Sequence, residues 1–283
     1  FGAETWKNGT KLGTPGVGKV DAWAPYAADP DLGLVYVPVG MPLMDEYGGH
    51  RPGANLYGNS LVAIDSRTGK RQWHFQFVHH DIWDYDTPIA PNVLDVTVDG
   101  QKRKVVAQAT KQGHIFILDR RTGQPLFPVE ERPVPQKGGV PGETLSPTQP
   151  FPANPAFIVR DPDLREEDMW GFTPYDRHKC REMFRAFDHG GLFTPPSTRG
   201  WLQFPSFEGA SNWGGVSIDA GRGILIANTT QVAALMSLVP QADIAKRTQA
   251  GEHILPAKGA PYGLTMKPML SPFGAPCNRP PWG

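Results

Sequence analysis

Leu61-Val-Ala-Ile-Asp-Ser-Arg-Thr-Gly-Lys-Arg-Gln-Trp73 is the stretch on which the fold turns. A β-branched apolar run enters a turn, Asp65-Ser-Arg-Thr-Gly-Lys70, whose Gly69 is available for a positive φ, and a second strand closes on Trp73. The pattern recurs. Ile115-Phe-Ile-Leu-Asp-Arg-Arg-Thr-Gly-Gln-Pro-Leu-Phe127 keeps Asp119, Thr122 and Gly123 in register, and a weaker copy runs from Val216 to Ala227. Upstream, Asp29-Pro-Asp-Leu-Gly33 is a polar turn feeding the run Leu34-Val-Tyr-Val37.

A hairpin that recurs every few tens of residues marks a repeat architecture, and the all-β repeat with such turns is the β-propeller. One blade cannot bury both of its faces alone, so blades stack around an axis. Trp73 and Phe127, which close their copies of the motif, are expected to dock against neighbouring blades.

Composition agrees with an all-β reading. The 283 residues include 30 Pro and 32 Gly, which favour many turns between short strands over long helices. Lys+Arg and Asp+Glu are both 28, so no global field favours nucleic acid or an anionic membrane. No apolar run approaches the roughly 20 residues that would span a bilayer, and no signal peptide opens the chain. It begins on Phe1, as a processed product or a fragment would. Cys180 and Cys277 leave two readings open, a disulfide in an oxidising compartment or two buried thiols.

Between the repeats the text changes. Phe1 to Val20 is weakly patterned and reads as loop. From about 128 to 199 a Pro-rich segment gives way to Arg177-His-Lys-Cys-Arg-Glu-Met-Phe-Arg-Ala-Phe187, which spaces Cys180, Met183, Phe184 and Phe187 on one face of a short helix. This region is expected to be a long inter-blade excursion over a propeller face. Gln231 to Ile244 reads as a second short helix, and Gln249 to Gly263 as loop.

The densest chemistry lies in His79-His80-Asp81-Ile82-Trp83-Asp84-Tyr85-Asp86. Aromatic neighbours desolvate a carboxylate and raise its proton affinity, as general acid/base chemistry requires, although solvated turns and structural ion networks also gather such residues. Further on, Val105-Val-Ala-Gln-Ala-Thr-Lys111 reads as a strand ending in a lysine before a tight turn. Strand ends line the mouth of a propeller, so Asp84 and Lys111 are expected to face one pocket with Trp23 and with Asn212-Trp213. An acid, a cation, an amide and flat aromatics suit a planar, polyanionic, carbonyl-bearing ligand. Two other readings compete. A non-catalytic propeller scaffold would show the same repeats, and a metal hydrolase would use His79, His80 and Asp81, although adjacent histidines on an extended chain point to opposite sides. The lone histidines His74, His114, His178 and His189 read as structural or exposed.

The octapeptide, the Asp-x-x-Thr-Gly turns, Lys111-Gln-Gly-His114, Leu192-Phe-Thr-Pro-Pro196 and Asn212-Trp-Gly-Gly215 together resemble the pyrroloquinoline quinone (PQQ) dehydrogenases. Pro133-Val-Pro-Gln136 and Leu270-Ser-Pro-Phe-Gly-Ala-Pro-Cys277 favour the membrane-bound glucose and quinate branch. The resemblance covers essentially the whole chain and implies that residues 1–283 are one partial PQQ-binding propeller domain, about half of an eight-bladed ring with long inter-blade loops and short helices. By the same resemblance a membrane-anchoring segment and the first blades precede it. Asp84 matches the catalytic base, Lys111 the cation that contacts the quinone oxygens and Trp23 the stacking tryptophan, while Asn212 and Trp213 match cofactor-adjacent positions. Met41 stands where the soluble branch has a metal-binding asparagine, and the ligands of the implied Ca²⁺ or Mg²⁺ would lie upstream of Phe1. The implied activity is oxidation of a sugar or polyol hydroxyl on the periplasmic side of the bacterial inner membrane, with ubiquinone receiving the electrons.

Overall fold

The computed structural model describes residues 5–6, 20–153, 157–159, 163–219, 221–257 and 259–283, so the loop expected over the first twenty residues lies almost wholly outside it. Strands β1 (Ala27–Asp29), β2 (Leu34–Val39), β3 (Ser60–Asp65) and β4 (Arg71–Gln76) pair antiparallel in chain order as one four-stranded sheet. In β2, Leu34 and Tyr36 are buried while Val35 and Val37 between them are half-buried, the alternation of a strand packed on one side. Ser60 to Ala63 in β3 are buried without a break, because a central strand is covered on both faces.

The expected turn chemistry is present. Asp65 Oδ1 accepts from the Arg67 and Thr68 backbone N–H groups and from Thr68 Oγ1, and Asp119 Oδ1 repeats this with Arg121 and Thr122. Gly69 and Gly123 take φ of 68° and 74°. The second sheet comprises β5 (Asn92–Val98), β6 (Gln101–Ala109) and β7 (Ile115–Asp119). Its turn at Asp119 does not lead into the expected return strand. Pro125 has no N–H for a ladder, and the arm towards Phe127 keeps one isolated bridge, Leu118 to Pro125.

Trp73 docks as expected. A Cβ added at Gly123 would fall 2.5 Å from its indole, and Trp73 Nε1 and Tyr36 Oη both donate to the carbonyl of Arg120, at 3.2 and 2.8 Å. The buried Arg120 returns the contact through Nε to Asp29 Oδ2 at 2.6 Å, so the two blades are joined by an indole, a phenol and an ion pair.

The excursion holds more regular structure than its prolines suggest. β8 (Val129–Pro133) and β9 (Thr148–Pro152) form a two-stranded sheet in which Pro150 and Pro152 pair opposite Glu131 and Val129. In a two-stranded sheet one side of each strand is unpaired, and proline is tolerated there. Helix α1 (Pro174–Ala186) starts three residues earlier than expected, where Thr173 Oγ1 accepts from the Asp176 N–H at 3.1 Å and Pro174 occupies the first turn. Cys180, Met183, Phe184 and Phe187 all join one apolar cluster, and Cys180 is bonded to Cys277, so the two cysteines pair.

A strand over Ala234–Pro240 corrects the reading of Gln231 to Ile244 as helix. β10 (Trp201–Gln203), β13 (Ala234–Pro240) and β14 (Tyr262–Pro268) form a three-stranded sheet with β13 in the middle. Both faces of β13 are covered, so its apolar run is continuous and carries no period that separates strand from helix. The helix, α2 (Gln241–Gln249), begins only after Pro240. The weaker repeat is a hairpin of β11 (Val216–Asp219) and β12 (Ile224–Ala227).

Candidate functional site

Residues 79–86 follow β4 and are held by side chains from elsewhere. Asp81 is buried; its Oδ1 accepts the Trp83 N–H at 2.8 Å, and its Oδ2 accepts the Tyr85 N–H at 2.9 Å and Asn59 Nδ2 at 2.7 Å. Burial raises the Asp81 carboxyl to about 6 despite these donors. Buried Arg51 donates to the Asp81 carbonyl at 2.6 Å and to the Met44 carbonyl at 2.9 Å. Trp83 Nε1 donates to the Thr194 carbonyl and Tyr85 Oη to the Pro205 carbonyl, both at 2.7 Å, which fixes the flanking aromatics in the interior. Asp84 stands between them with φ 56°, and its side chain remains 27% accessible.

Lys111 lies two residues beyond β6, in a turn closed by the Gly113 N–H donating to the Thr110 carbonyl. Its ammonium donates to the Asp84 carbonyl at 2.9 Å and meets Asp84 Oδ1 at 3.2 Å and Asp86 Oδ1 at 2.6 Å. Gly209 is pressed against the lysine stem, where a Cβ would fall 2.5 Å from Cγ, and the Ala210 N–H donates to the Lys111 carbonyl at 2.7 Å. That contact carries the 209–213 loop to the site.

Trp23 arrives from the first blade and donates through Nε1 to Asp86 Oδ2 at 2.9 Å. Its ring lies 5.5 Å from that of Trp213 at 67° between planes, and the two indoles are 46% and 76% exposed. Asp84, Lys111, Trp23 and Trp213 are thus brought together as the sequence suggested. Asn212 is beside them, but its amide is engaged in its own turn, with Nδ2 donating to the Glu208 carbonyl and Oδ1 accepting the Trp213 N–H.

Electrostatics follow from this packing. Burial raises the Asp84 carboxyl to about 8; Lys111 opposes the rise, and Asp86 and Asp45 add to it. Burial works against the Lys111 charge, yet Asp84 and Asp86 together hold the ammonium above the ordinary lysine value. Asp84 also borders a cavity of about 550 Å³ lined on one side by Asp45 and Glu46 and elsewhere by Leu238, Leu264, Met266, Tyr47 and Tyr262. Burial raises both of those acids, Glu46 well above the ordinary carboxylate value, with Asp45 adding to the rise at Glu46.

The two adjacent histidines do not share a site. His79 faces Gln76 and Glu131, whereas buried His80 has Nδ1 at the Gly53 carbonyl and Nε2 2.8 Å from Glu143. Among the described residues no group of three or more His, Cys, Asp or Glu is arranged to hold a metal ion. His114 is a core residue among Phe116, Phe151 and Phe157, and burial lowers its imidazole to about 3. Sequence reasoning missed the parts played by Asp86, Asn59, Arg51, Asp45 and Glu46. Asp86 stood in the octapeptide and could have been singled out, while Arg51 and Asn59 carry no local signal.

The family model of the PQQ glucose/ethanol/alcohol dehydrogenase β-propeller domain matches residues 2–283. The chain belongs to this family. This PQQ-dehydrogenase propeller is 43% identical over 272 residues to the quinoprotein glucose dehydrogenase of Escherichia coli (strain K12), covering 93% of the chain and 34% of that protein. It is 41% identical over 297 residues to the glycerol dehydrogenase large subunit of Gluconobacter oxydans (strain 621H), covering 99% and 39%. With the quinate/shikimate dehydrogenase (quinone) of Acinetobacter baylyi (strain ATCC 33305 / BD413 / ADP1) the identity is 36% over 273 residues, covering 93% and 34%. The PQQ-dehydrogenase chain therefore spans roughly a third of the length of these curated relatives. Among solved structures, the quinohemoprotein alcohol dehydrogenase ADHIIG from Pseudomonas putida HK5 aligns at TM-score 0.54 and 24% identity, over 85% of this chain and 30% of that one. A europium-containing methanol dehydrogenase aligns at TM-score 0.54 and 20% identity, over 89% and 34%; both share the fold.

Proposed function

We propose that this propeller carries the substrate base and part of the cofactor site of a quinoprotein dehydrogenase that oxidises a hydroxyl of a sugar or polyol. The observation that carries the reading is the Asp84–Lys111–Asp86 cluster beside two solvent-facing indoles, within a chain of this family. The residues fit PQQ. Trp23 and Trp213 pack edge to face as one exposed aromatic patch beside Lys111, and a flat, polyanionic ring system would lie against that patch and be attracted by the Lys111 charge. Asn212 borders the same place.

PQQ, when bound, supplies a quinone carbon that accepts hydride from the substrate carbon. Asp84 takes the hydroxyl proton of the substrate on its carboxylate, and the substrate leaves as a carbonyl compound. Lys111 keeps a fixed positive charge at the site while the proton moves. Asp86 holds Lys111 and the Trp23 indole in place through its two oxygens. The divalent metal of the family has no cluster of candidate ligands among the described residues, and no step is assigned to it.

The electrons are proposed to pass to ubiquinone at the periplasmic side of the inner membrane. The Cys180–Cys277 disulfide supports an oxidising compartment. The test is addition of PQQ with Ca²⁺ or Mg²⁺ to the cofactor-free, full-length protein, followed by dye reduction with glucose, quinate and a simple alcohol. Turnover that requires PQQ and is abolished by Asp84→Asn is the expected result. Folded protein that neither binds PQQ nor turns over would point instead to a binding scaffold.

A further inference from the structure

Both residues that flank Asp84 are tied to one short segment that is distant in the chain, residues 203–205. Gln203, the last residue of β10, donates through Nε2 to the Trp83 carbonyl at 2.6 Å, and the Tyr85 hydroxyl donates to the Pro205 carbonyl at 2.7 Å. The amide is itself fixed. Gln203 is buried, and its Oε1 accepts from Trp201 Nε1 at 3.3 Å, which leaves the N–H end to face Trp83. The peptide on the other side of Asp84 is held as well, its carbonyl by Lys111 Nζ and its N–H by Asp81 Oδ2, both at 2.9 Å. We propose that Gln203 is a positioning residue for the base: by holding the Trp83 carbonyl it stops the 83–84 peptide from turning over, and so keeps Asp84 in the left-handed conformation that sets its carboxylate between Lys111 and the cavity.

Aspartate at φ 56° is less stable than aspartate at the ordinary negative φ, so the backbone at this position has somewhere to relax to. A peptide is a rigid plane, and a half-turn of the one between Trp83 and Asp84 changes ψ of the first and φ of the second together. That turn would carry Asp84 into the negative range and redirect its side chain. It would also reverse the Trp83 carbonyl, break the bond to Gln203 and leave a buried amide and a buried carbonyl unpaired, which costs more than the local preference returns. Without the amide that opposing cost is gone. Proton abstraction needs the carboxylate within hydrogen-bond reach of the substrate hydroxyl, so a turned peptide is felt in the chemical step. The effect on turnover rests on the reading of Asp84 as the base; the effect on the backbone does not.

Gln203→Met in the full-length protein keeps the length of the side chain and removes the amide. A crystal structure of the cofactor-free variant should show the 83–84 peptide turned over and a negative φ at Asp84. With PQQ supplied, kcat and kcat/KM should fall together by about ten- to a hundredfold, the scale of a misplaced catalytic group. PQQ affinity, read from tryptophan fluorescence, should change little, because Gln203 bonds neither Trp23 nor Trp213. The midpoint of the kcat–pH profile should move down as the carboxyl loses the burial that raises it, a shift that a general loss of stability would not produce. Gln203→Leu takes the place of the first variant if that does not fold, and failure of both to fold overturns the inference. A positive φ at Asp84 in a folded variant also overturns it, as does a turned peptide with parental turnover where Asp84→Asn is inactive. If Asp84→Asn retains full turnover, the base reading alone fails, and φ at Asp84 in the variant still decides the role of Gln203.

Discussion

Asp86 reaches Lys111 more closely than Asp84 does, at 2.6 Å against 3.2 Å. Its second oxygen accepts the Trp23 indole N–H at 2.9 Å, so one carboxylate holds both the cation and an aromatic wall. Asp86→Ala should leave the Lys111 ammonium short of a partner and free the Trp23 ring, with a cost of about 1–3 kcal/mol in cofactor binding. Quenching of tryptophan fluorescence on titration with PQQ measures this, and an unchanged affinity would remove Asp86 from the site.

With Asp84 as the proposed base, its carboxyl should set the pH dependence. Its carboxyl is raised to about 8, so the proton-accepting form grows as pH rises through that value, and turnover should rise with it. Stability should move the other way. A carboxyl that binds its proton more tightly folded than unfolded contributes stability at low pH, and this is lost as pH climbs from the ordinary carboxylate range through about 8. Asp84→Asn should abolish turnover yet melt at a higher temperature than the parent at pH 9, with little difference at pH 4.

The two related turns allow a matched comparison. Gly69 and Gly123 both have positive φ, but a Cβ at Gly69 meets nothing within 4 Å, whereas one at Gly123 meets Trp73 at 2.5 Å. Gly69→Ala should cost about 1–2 kcal/mol from the backbone alone. Gly123→Ala should cost about 1–3 kcal/mol more, because the buried indole has no room to retreat. Urea denaturation of the pair isolates the contribution of blade docking, and equal losses would mean that Trp73 is not tightly seated.

Cys180 and Cys277 are 97 residues apart and close the second half of α1, the end of the excursion, β10 to β14 and α2 into one covalent loop. Cys180→Ser with Cys277→Ser should lower stability by about 2–4 kcal/mol, and dithiothreitol should have the same effect on the parent. Denaturation midpoints with and without reductant check this, and an insensitive parent would show that the bond contributes little.

What was legible in the sequence follows from the range of the interactions. The turns at Asp65 and Asp119 were readable because their hydrogen bonds reach only two or three residues onward. The facing of Asp84 and Lys111 was readable from the propeller inference, since strand ends share one mouth. The burial of β13 was not, because its neighbours β10 and β14 lie on either side of it in the chain and only their pairing distinguishes strand from helix. Asp86 was overlooked for a similar reason: its Trp23 contact is 63 residues away, and nothing near it in the chain separates it from Asp84.

The left-handed backbone at Asp84 narrows what this position can become. At φ 56° aspartate, asparagine and glycine are accommodated more readily than longer or branched residues. A glutamate there would alter the reach of the carboxylate and disturb the peptide that carries it, so the two acids are not interchangeable here. Asparagine or glycine can replace the proposed base with the loop intact, but a longer acid at this position would require rebuilding a loop anchored by Asp81, Trp83 and Tyr85. The choice of acid for the proposed base is thereby constrained by main-chain conformation as well as by its chemistry.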